Sequence, residues 1–321
     1  MTVPEQEPSP ADNPDPRQPP QRSAAQTEAR LVVTARARQA TRLDDWMVPA
    51  LPPDPSVDEL ATLAARSDPD HSLWLAGGEP TLRADLPAVV AAVAEPRAGA
   101  VGMCTDGLAL ADAAALAPLR TAGLARVRLF LHCPQPEAHD WLVDQPGATK
   151  QVLRAARACA KAGLAVELQA TITRPTMSHL VDLVELAVRL DIAVLHLRRL
   201  LSRGPAAAAY LMLAPRFALL ERHLAKAMAA AAAAELPVVL HGHPPCTVPA
   251  VANHRLPSGS VAWLVPGSAA WQPIRDQLAE PVTHKPCAAC PALPSCGGAP
   301  AAYVSQFGAR ELGGLDEHSA S

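Results

Sequence analysis

Short apolar runs with strand character alternate six times with helical runs, and no other feature of the chain constrains its fold as strongly. Strands that alternate with helices of about 10 to 15 residues form parallel β/α units joined by right-handed crossovers. Six units are too few for a closed eight-stranded barrel. The pattern therefore predicts an α/β fold, with either an open doubly wound sheet or a partial barrel. The predicted strands are 31–33, 73–76, 101–104, 127–131, 165–172 and 193–197.

Helical periodicity and glycine stops define the intervening segments. Gly123 and Gly163 follow two of the predicted helices, at positions where glycine commonly ends a helix in the left-handed conformation. The predicted helices are 57–65, 83–93, 109–119, 148–162, 178–190 and 216–234.

Composition divides the chain into four segments. Residues 1–28 are rich in Pro, Gln, Glu, Asp and Ser, which predicts a disordered tail. Residues 29–235 carry the β/α rhythm. Residues 236–313 are rich in Pro, Gly, His and Cys, and they are expected to form a small Cys-rich module. Residues 314–321 are predicted to be a second disordered tail.

Overall composition excludes several classes of partner. Hydrophobic residues make up 49% of the chain and aromatic residues only 3%, so Ala, Leu and Val must fill the core. The formal net charge of -3 is spread along the chain, which argues against a nucleic-acid partner. No apolar run reaches the roughly 20 residues of a membrane span. The polar N-terminus does not read as a signal peptide, so we expect a cytoplasmic protein with reduced thiols.

Polar motifs follow the second and third predicted strands. The carboxyl ends of parallel strands are where α/β proteins bind their ligands. On the simplest interpretation, Gly77 and Gly78 permit a tight turn after the second strand, and Glu79 caps the following helix. The candidate binding residues are Gly77, Gly78, Glu79, Pro80, Thr105 and Asp106.

Four late cysteines predict a metal site. Cys287 and Cys290 form a C-x2-C pair, and Cys246 and Cys296 complete a set of four thiols in a loop-rich region. Four thiolates suit either a tetrahedral zinc ion or a 4Fe–4S cluster, and spacing does not separate the two. Three histidines in the same region either complete or tune such a site or are exposed loop residues: His241, His243 and His284. Three other cysteines are expected to be buried thiols: Cys104, Cys133 and Cys159.

Taken in order, these motifs resemble the radical S-adenosylmethionine (SAM) family, in the branch with a C-terminal auxiliary iron–sulfur module of SPASM or twitch type. The resemblance implies a partial (β/α)6 barrel of radical-SAM type and a small Cys-rich metal-binding module. It further implies SAM at the Gly-Gly-Glu-Pro loop and one auxiliary 4Fe–4S cluster on the late cysteines. The motifs that carry the resemblance are GGEPTL at 77–82, TDG at 105–107, HD at 139–140, RGPA at 203–206 and the cysteine pattern from 246 to 298.

The departure from the family is equally specific. In the family, the first strand leads into a C-x3-C-x2-C loop that holds the radical cluster. Val33-Thr34 keeps the lead-in, but the three cysteine positions fall on Ala37, Thr41 and Asp44. No cysteine occurs anywhere in residues 1–103. Thiolates hold such clusters, so this chain lacks the ligands of the radical site.

These observations lead to a degenerate radical-SAM-like protein with no catalytic residues of its own. It would act as a partner, substrate-presenting or electron-transfer subunit for an intact radical-SAM enzyme, in peptide or natural-product modification. One alternative is an active radical-SAM enzyme with an unorthodox site. Another is a zinc-stabilised binding module. Trp263 and Trp271 are expected to pack against the cysteine module.

Overall fold

A computed structural model describes residues 28–37, 41–43, 54–68, 71–97, 101–257, 260–266, 281–282 and 285–313. The strands are β1 (Glu28–Thr34), β2 (Ser72–Gly77), β3 (Val101–Thr105), β4 (Leu124–Phe130), β5 (Ala165–Ile172), β6 (Val194–Arg199), β7 (Val238–His241), β8 (Val261–Leu264), β9 (Pro281–Val282) and β10 (Ala299–Pro300). The α-helices are α1 (Val57–Ala65), α2 (Leu86–Ala94), α3 (Ala113–Thr121), α4 (Pro136–Val143), α5 (Ala148–Lys161), α6 (Leu180–Arg189), α7 (Gly204–Leu213), α8 (Phe217–Ala233), α9 (Lys285–Ala288), α10 (Leu293–Cys296) and α11 (Ala301–Phe307).

Eight parallel strands form one curled sheet in the order β7-β6-β5-β4-β3-β2-β1-β8. The sheet is a half-barrel, which confirms the predicted partial barrel and excludes the open doubly wound alternative. β7 and β8 lie beyond residue 235, where the sequence places the end of the barrel domain, yet both join its edges. β9 and β10 form a separate antiparallel pair. None of the described helices has both the length and the apolar character of a membrane span.

Alternation along the strands builds two different faces. Leu73 and Leu75 on β2, for example, point toward the helices and join the main apolar core. α5 meets that core with Val152, Ala155 and Cys159, whose spacing places them on one helical face. The buried states of Cys104, Cys133 and Cys159 confirm the prediction of buried thiols.

Predicted and observed elements agree except at a few places. Every predicted strand is present, and Gly123 and Gly163 have left-handed φ angles of 104° and 78°. β1 begins at Glu28, which the sequence assigns to the disordered tail; residues 1–27 lie outside the described residues. Neither α4 nor α7 is among the helices predicted from the sequence.

The concave face of the sheet carries a buried charge network centred on Arg128 of β4. Its guanidinium donates to both carboxylate oxygens of Glu28 on β1, at 2.7 and 3.0 Å. It also donates twice to Oε2 of Glu167 on β5, at 2.7 and 2.9 Å. The same group lies 4.1 Å from the ring centroid of Trp74 on β2. In a flat sheet β1 and β4 would be about 14 Å apart, so this pairing depends on the curl.

Two neutral histidines extend the network toward the edge of the sheet. His196 Nε2 lies 2.8 Å from Glu167 Oε2, and His196 Nδ1 lies 2.9 Å from His241 Nε2. Burial lowers the pKa of His196 to about 4 and that of His241 well below its ordinary value. Since Glu167 already accepts from Arg128, His196 donates through Nε2 and accepts from His241 at Nδ1. His241 is therefore a buried member of the barrel interior and not an exposed loop residue.

Trp263 belongs to the barrel and not to the cysteine module. It lies on β8, where Arg30 of β1 places its guanidinium 5.3 Å from the ring centroid. It also packs against the small apolar cluster of the concave face that contains Trp74. The expectation that Trp263 packs the cysteine module is therefore wrong, because β8 pairs with β1. Trp271 lies outside the described residues.

We expect Arg128→Met to lower the free energy of unfolding by about 3–5 kcal/mol, because two buried carboxylates lose their cation. Burial raises the pKa of Glu28, but the charge and hydrogen bonds of Arg128, together with the charge of Arg30, hold that pKa well below its ordinary value. Urea unfolding measures the loss. Arg126→Met is the matched control, since Arg126 stacks on the same Trp74 ring at 4.8 Å. It should cost about 1 kcal/mol. Equal losses in the two variants would contradict the central role of Arg128.

Candidate functional site

The Gly-Gly-Glu-Pro loop packs directly on the chain that leaves β1. Gly78 donates to the carbonyl of Thr34 and Glu79 to that of Arg36, both at 2.7 Å. A Cβ on Gly78 would lie 2.0 Å from the Arg36 carbonyl oxygen, so only glycine fits there. Gly77 has a φ of 114°, which glycine adopts without strain. The chain's own backbone thus accounts for both glycines.

The Glu79 carboxylate is fully buried and is hydrogen-bonded by its own chain. Oε1 accepts from the backbone N–H and the hydroxyl of Thr81, at 3.0 and 2.6 Å, and from the hydroxyl of Thr105 at 2.7 Å. Oε2 accepts from the backbone N–H of Asp106 at 2.8 Å. Pro80 begins the short 3-10 helix that Glu79 caps. The predicted residues at the ends of β2 and β3 therefore meet, and Glu79 ties the two strand ends together.

Burial makes Glu79 titrate near neutral pH. Desolvation is the largest cause, and the negative charge of Asp106 adds to it. Together they outweigh the hydrogen bonds from Thr81, Asp106 and Thr105 and raise the pKa of Glu79 to about 7. The site thus holds a carboxyl group that changes charge within the physiological pH range.

Arg83 secures the loop from the other side. Its guanidinium donates to the carbonyl of Val33 at 2.7 Å and forms a two-pronged pair with Asp85, at 2.7 and 2.9 Å. The hydrogen bonds from Arg83 are the main cause of the lowered pKa of Asp85. Asp85 thus has a structural role as the partner of Arg83.

Four cysteines from two separate parts of the chain line one cavity. Cys246 lies in a 3-10 turn after β7, Cys287 in α9, Cys290 just after α9 and Cys296 at the end of α10. The space between the walls, including the part open to solvent, is about 330 Å³. The other lining residues are Pro244, Pro245, Leu293, Gly298, Ala299, Leu312 and Gly313.

Two of the four thiols in this cavity have a raised pKa. Burial, followed by the neighbouring Cys296, raises the pKa of Cys246 to about 11. Burial also raises the pKa of Cys296. A metal would therefore have to displace thiol protons on binding. Within the described part of the chain, no three His, Cys, Asp or Glu side chains are positioned to hold a single metal ion. His284 lies outside that part.

His243 is buried without hydrogen-bond partners for either ring nitrogen among the described residues. Burial is the largest cause that lowers its pKa to about 3, and the charges of Arg199 and Arg255 add to it. It is therefore neutral, and its carbonyl oxygen accepts a hydrogen bond from Arg255 Nε. Like His241, it is not an exposed loop residue.

Comparison with known proteins finds similarity over part of the chain. Residues 44–187 match the radical SAM superfamily. A probable GTP 3',8-cyclase of Aeropyrum pernix is 37% identical over 36% of this chain and 31% of its own length. An AdoMet-dependent heme synthase of Oleidesulfovibrio alaskensis is 28% identical over 41% of this chain and 33% of its own length. The chain thus spans about a third of the length of these curated relatives.

The solved structures add a likeness in fold. SuiB of Streptococcus suis, bound to its precursor peptide SuiA, superimposes with a TM-score of 0.59 and 13% identity. The superposition covers 71% of this chain and 52% of SuiB. This likeness shows the fold, and residues 44–187 are the part of the chain that also matches the radical SAM superfamily in sequence.

A radical SAM domain implies a 4Fe–4S cluster and SAM, and the residues of this chain do not fit that cluster. Ala37 has no ligand atom. The Thr41 hydroxyl donates to the carbonyl of Leu142 at 3.3 Å and accepts from the N–H of Leu43 at 3.0 Å. Asp44 lies outside the described residues. Since a site-differentiated cluster needs three thiolates, no chemistry through that cluster can be assigned to this chain.

We expect Glu79→Gln to change how stability depends on pH. The pKa of Glu79 is about 7 in the folded chain, compared with an ordinary value of 4.5 for the unfolded chain. The folded state therefore binds the proton more tightly than the unfolded state. This contribution is fully present below pH 4.5 and is lost as the pH rises through 7. Relative to Glu79→Gln, the free energy of unfolding of the wild type should fall by about 3 kcal/mol across this range.

Urea unfolding of both proteins at a series of pH values measures this difference. Glu95→Gln is the control, because Glu95 is exposed and also lies in a 3-10 helix. Parallel stability curves for wild type and Glu79→Gln would show that Glu79 does not titrate in this range.

Proposed function

We propose that this chain is a radical-SAM-like iron–sulfur protein that does not cleave SAM. In this proposal it serves an intact radical-SAM enzyme as an electron-transfer, substrate-presenting or partner subunit. The observation that carries the proposal is the contrast between the radical site, which lacks thiols, and the late cysteines. The radical site has no cysteine, since none precedes Cys104. The late cysteines, in contrast, line a common cavity.

The use of Glu79 supports the loss of SAM chemistry. Three hydrogen bonds at Oε1 and one at Oε2 come from the chain itself. In the same loop, the backbone N–H groups of Gly78 and Glu79 donate to the carbonyls of Thr34 and Arg36. A loop whose polar groups hold two strand ends together has a structural reason to persist after cofactor binding is lost. The predicted SAM contacts at this loop therefore have an internal explanation.

The late cysteines support an auxiliary cluster. Cys246, Cys287, Cys290 and Cys296 supply four thiols, the ligand number of a 4Fe–4S cluster. When bound, such a cluster would supply reversible one-electron transfer. The chain's own part is to bring the four thiols to one cavity, to limit the access of water with Leu293 and Leu312, and to release the thiol protons on loading.

A peptide is the substrate class we propose for the enzyme that this chain serves. The support is the likeness in fold to SuiB, which was solved with a precursor peptide bound. The curated relatives are named as a GTP cyclase and a heme synthase, and neither name points to a peptide. The proposal of a peptide substrate therefore depends on the likeness in fold to SuiB.

We expect the full chain, purified without oxygen, to contain one cluster's content of iron and sulfide. Cys287→Ala and Cys290→Ala should each lose most of it, since each removes a thiolate ligand. Metal and sulfide analysis with the absorption spectrum measures the content. Cys159→Ala is the control and should retain the cluster, because Cys159 is buried in α5. Bound zinc without iron would instead support a zinc-stabilised module.

We further expect no 5'-deoxyadenosine when this protein is incubated with SAM and a strong reductant. The reason is the absence of thiolates at positions 37 and 41. Product analysis by chromatography, with an intact radical-SAM enzyme as the positive control, measures it. Release of 5'-deoxyadenosine above the level without protein would overturn the proposal in favour of an active enzyme.

A further inference from the structure

Arg255 is a half-buried cation that forms no ion pair with a carboxylate in the described part of the chain. Its backbone is fixed at the end of β7, where it bridges Leu240, and the following N–H of Leu256 donates to the Leu240 carbonyl at 2.9 Å. A guanidinium removed from water needs an anion nearby to offset the loss of hydration. The described carboxylates do not supply it.

The position of Arg255 places its charge beside the thiol cavity. Its Nε donates to the carbonyl of His243. The next three residues, Pro244, Pro245 and Cys246, form one wall of that cavity. The guanidinium is thus anchored to the strand exit that carries the first of the four thiols.

The electrostatics agree with this placement. Burial lowers the pKa of Arg255, and the charges of Cys296 and Cys246 act against that shift when those thiols are ionised. In turn, Arg255 is one of the groups that favour the thiolate form of Cys296. Arg255 is therefore close enough to Cys246 and Cys296 for its charge to favour their thiolate forms.

We propose that Arg255 is the counter-charge of the four-cysteine site and sets the reduction potential of the cluster held there. The inference rests on the proposed auxiliary cluster. Adding one electron from an external reductant makes the site more negative by one charge, with no bond made or broken. A fixed positive charge close by stabilises the reduced state more than the oxidised one, so it raises the potential. Arg255 acts through the thiolates and is a positioning residue.

The test compares the loaded full chain of the wild type with Arg255→Met and Arg255→Lys. Protein-film voltammetry or a redox titration followed by absorbance gives the potential of the loaded fraction, even where a variant holds less iron. In Arg255→Met we expect the ratio of reduced to oxidised cluster at fixed potential to fall by about tenfold, which corresponds to about 59 mV for one electron. Arg255→Lys keeps the charge and should restore most of the shift.

Arg154→Met is the control for a loss of charge, because Arg154 is exposed on α5 and solvent screens it. A loaded Arg255→Met protein with the same potential as Arg154→Met would overturn the role of Arg255 and leave the proposed function standing. A wild-type protein that contains no iron and sulfide would overturn both.

Discussion

The contact between Arg128 and its two carboxylates fixes the shape of this protein. Arg128 lies on β4, Glu167 on the neighbouring β5 and Glu28 on β1, so a single guanidinium links β4 to a strand three positions away in the sheet. Such a group is costly to bury alone, and its pairing is favourable only when both carboxylates are in place. The curl of the half-barrel brings Glu28 within reach of Arg128, and Trp74 packs against the same guanidinium. The concave face thus carries ion pairs, histidines and indoles.

Local sequence patterns predict most of the architecture, because each β/α unit is built from neighbouring residues. The order of the strands, the helix stops at Gly123 and Gly163 and the junction at Glu79 all follow from patterns within one unit. α4 and α7 escape such patterns. α4 falls within a loop-like stretch that begins with Pro136, and α7 is apolar on nearly every side, so no amphipathic period marks it.

The interior network depends on information that no single unit contains. Charged residues at alternate positions of apolar strands, such as Arg126 and Arg128 on β4 and Glu167 on β5, are a usable signal of a polar inner face. Their partners depend on the stagger and curl of the whole sheet, and Glu28 stands a hundred residues from Arg128. The cysteines present the same contrast. The C-x2-C pair marks a site, whereas the approach of Cys246 to the other three depends on how the chain leaves β7.

The place of β8 has a consequence for how the chain is made. β1 is among the first described segments to leave the ribosome, and its outer neighbour is β8, roughly 200 residues later. Through most of synthesis β1 therefore presents an open row of backbone donors and acceptors to the cell. These groups are paired by β8, which follows Cys246 and Arg255 in the chain and precedes the C-x2-C pair. The first thiol and the strand that completes the sheet thus lie in one stretch of chain, and the outer edge of β1 is covered only after that stretch has been made.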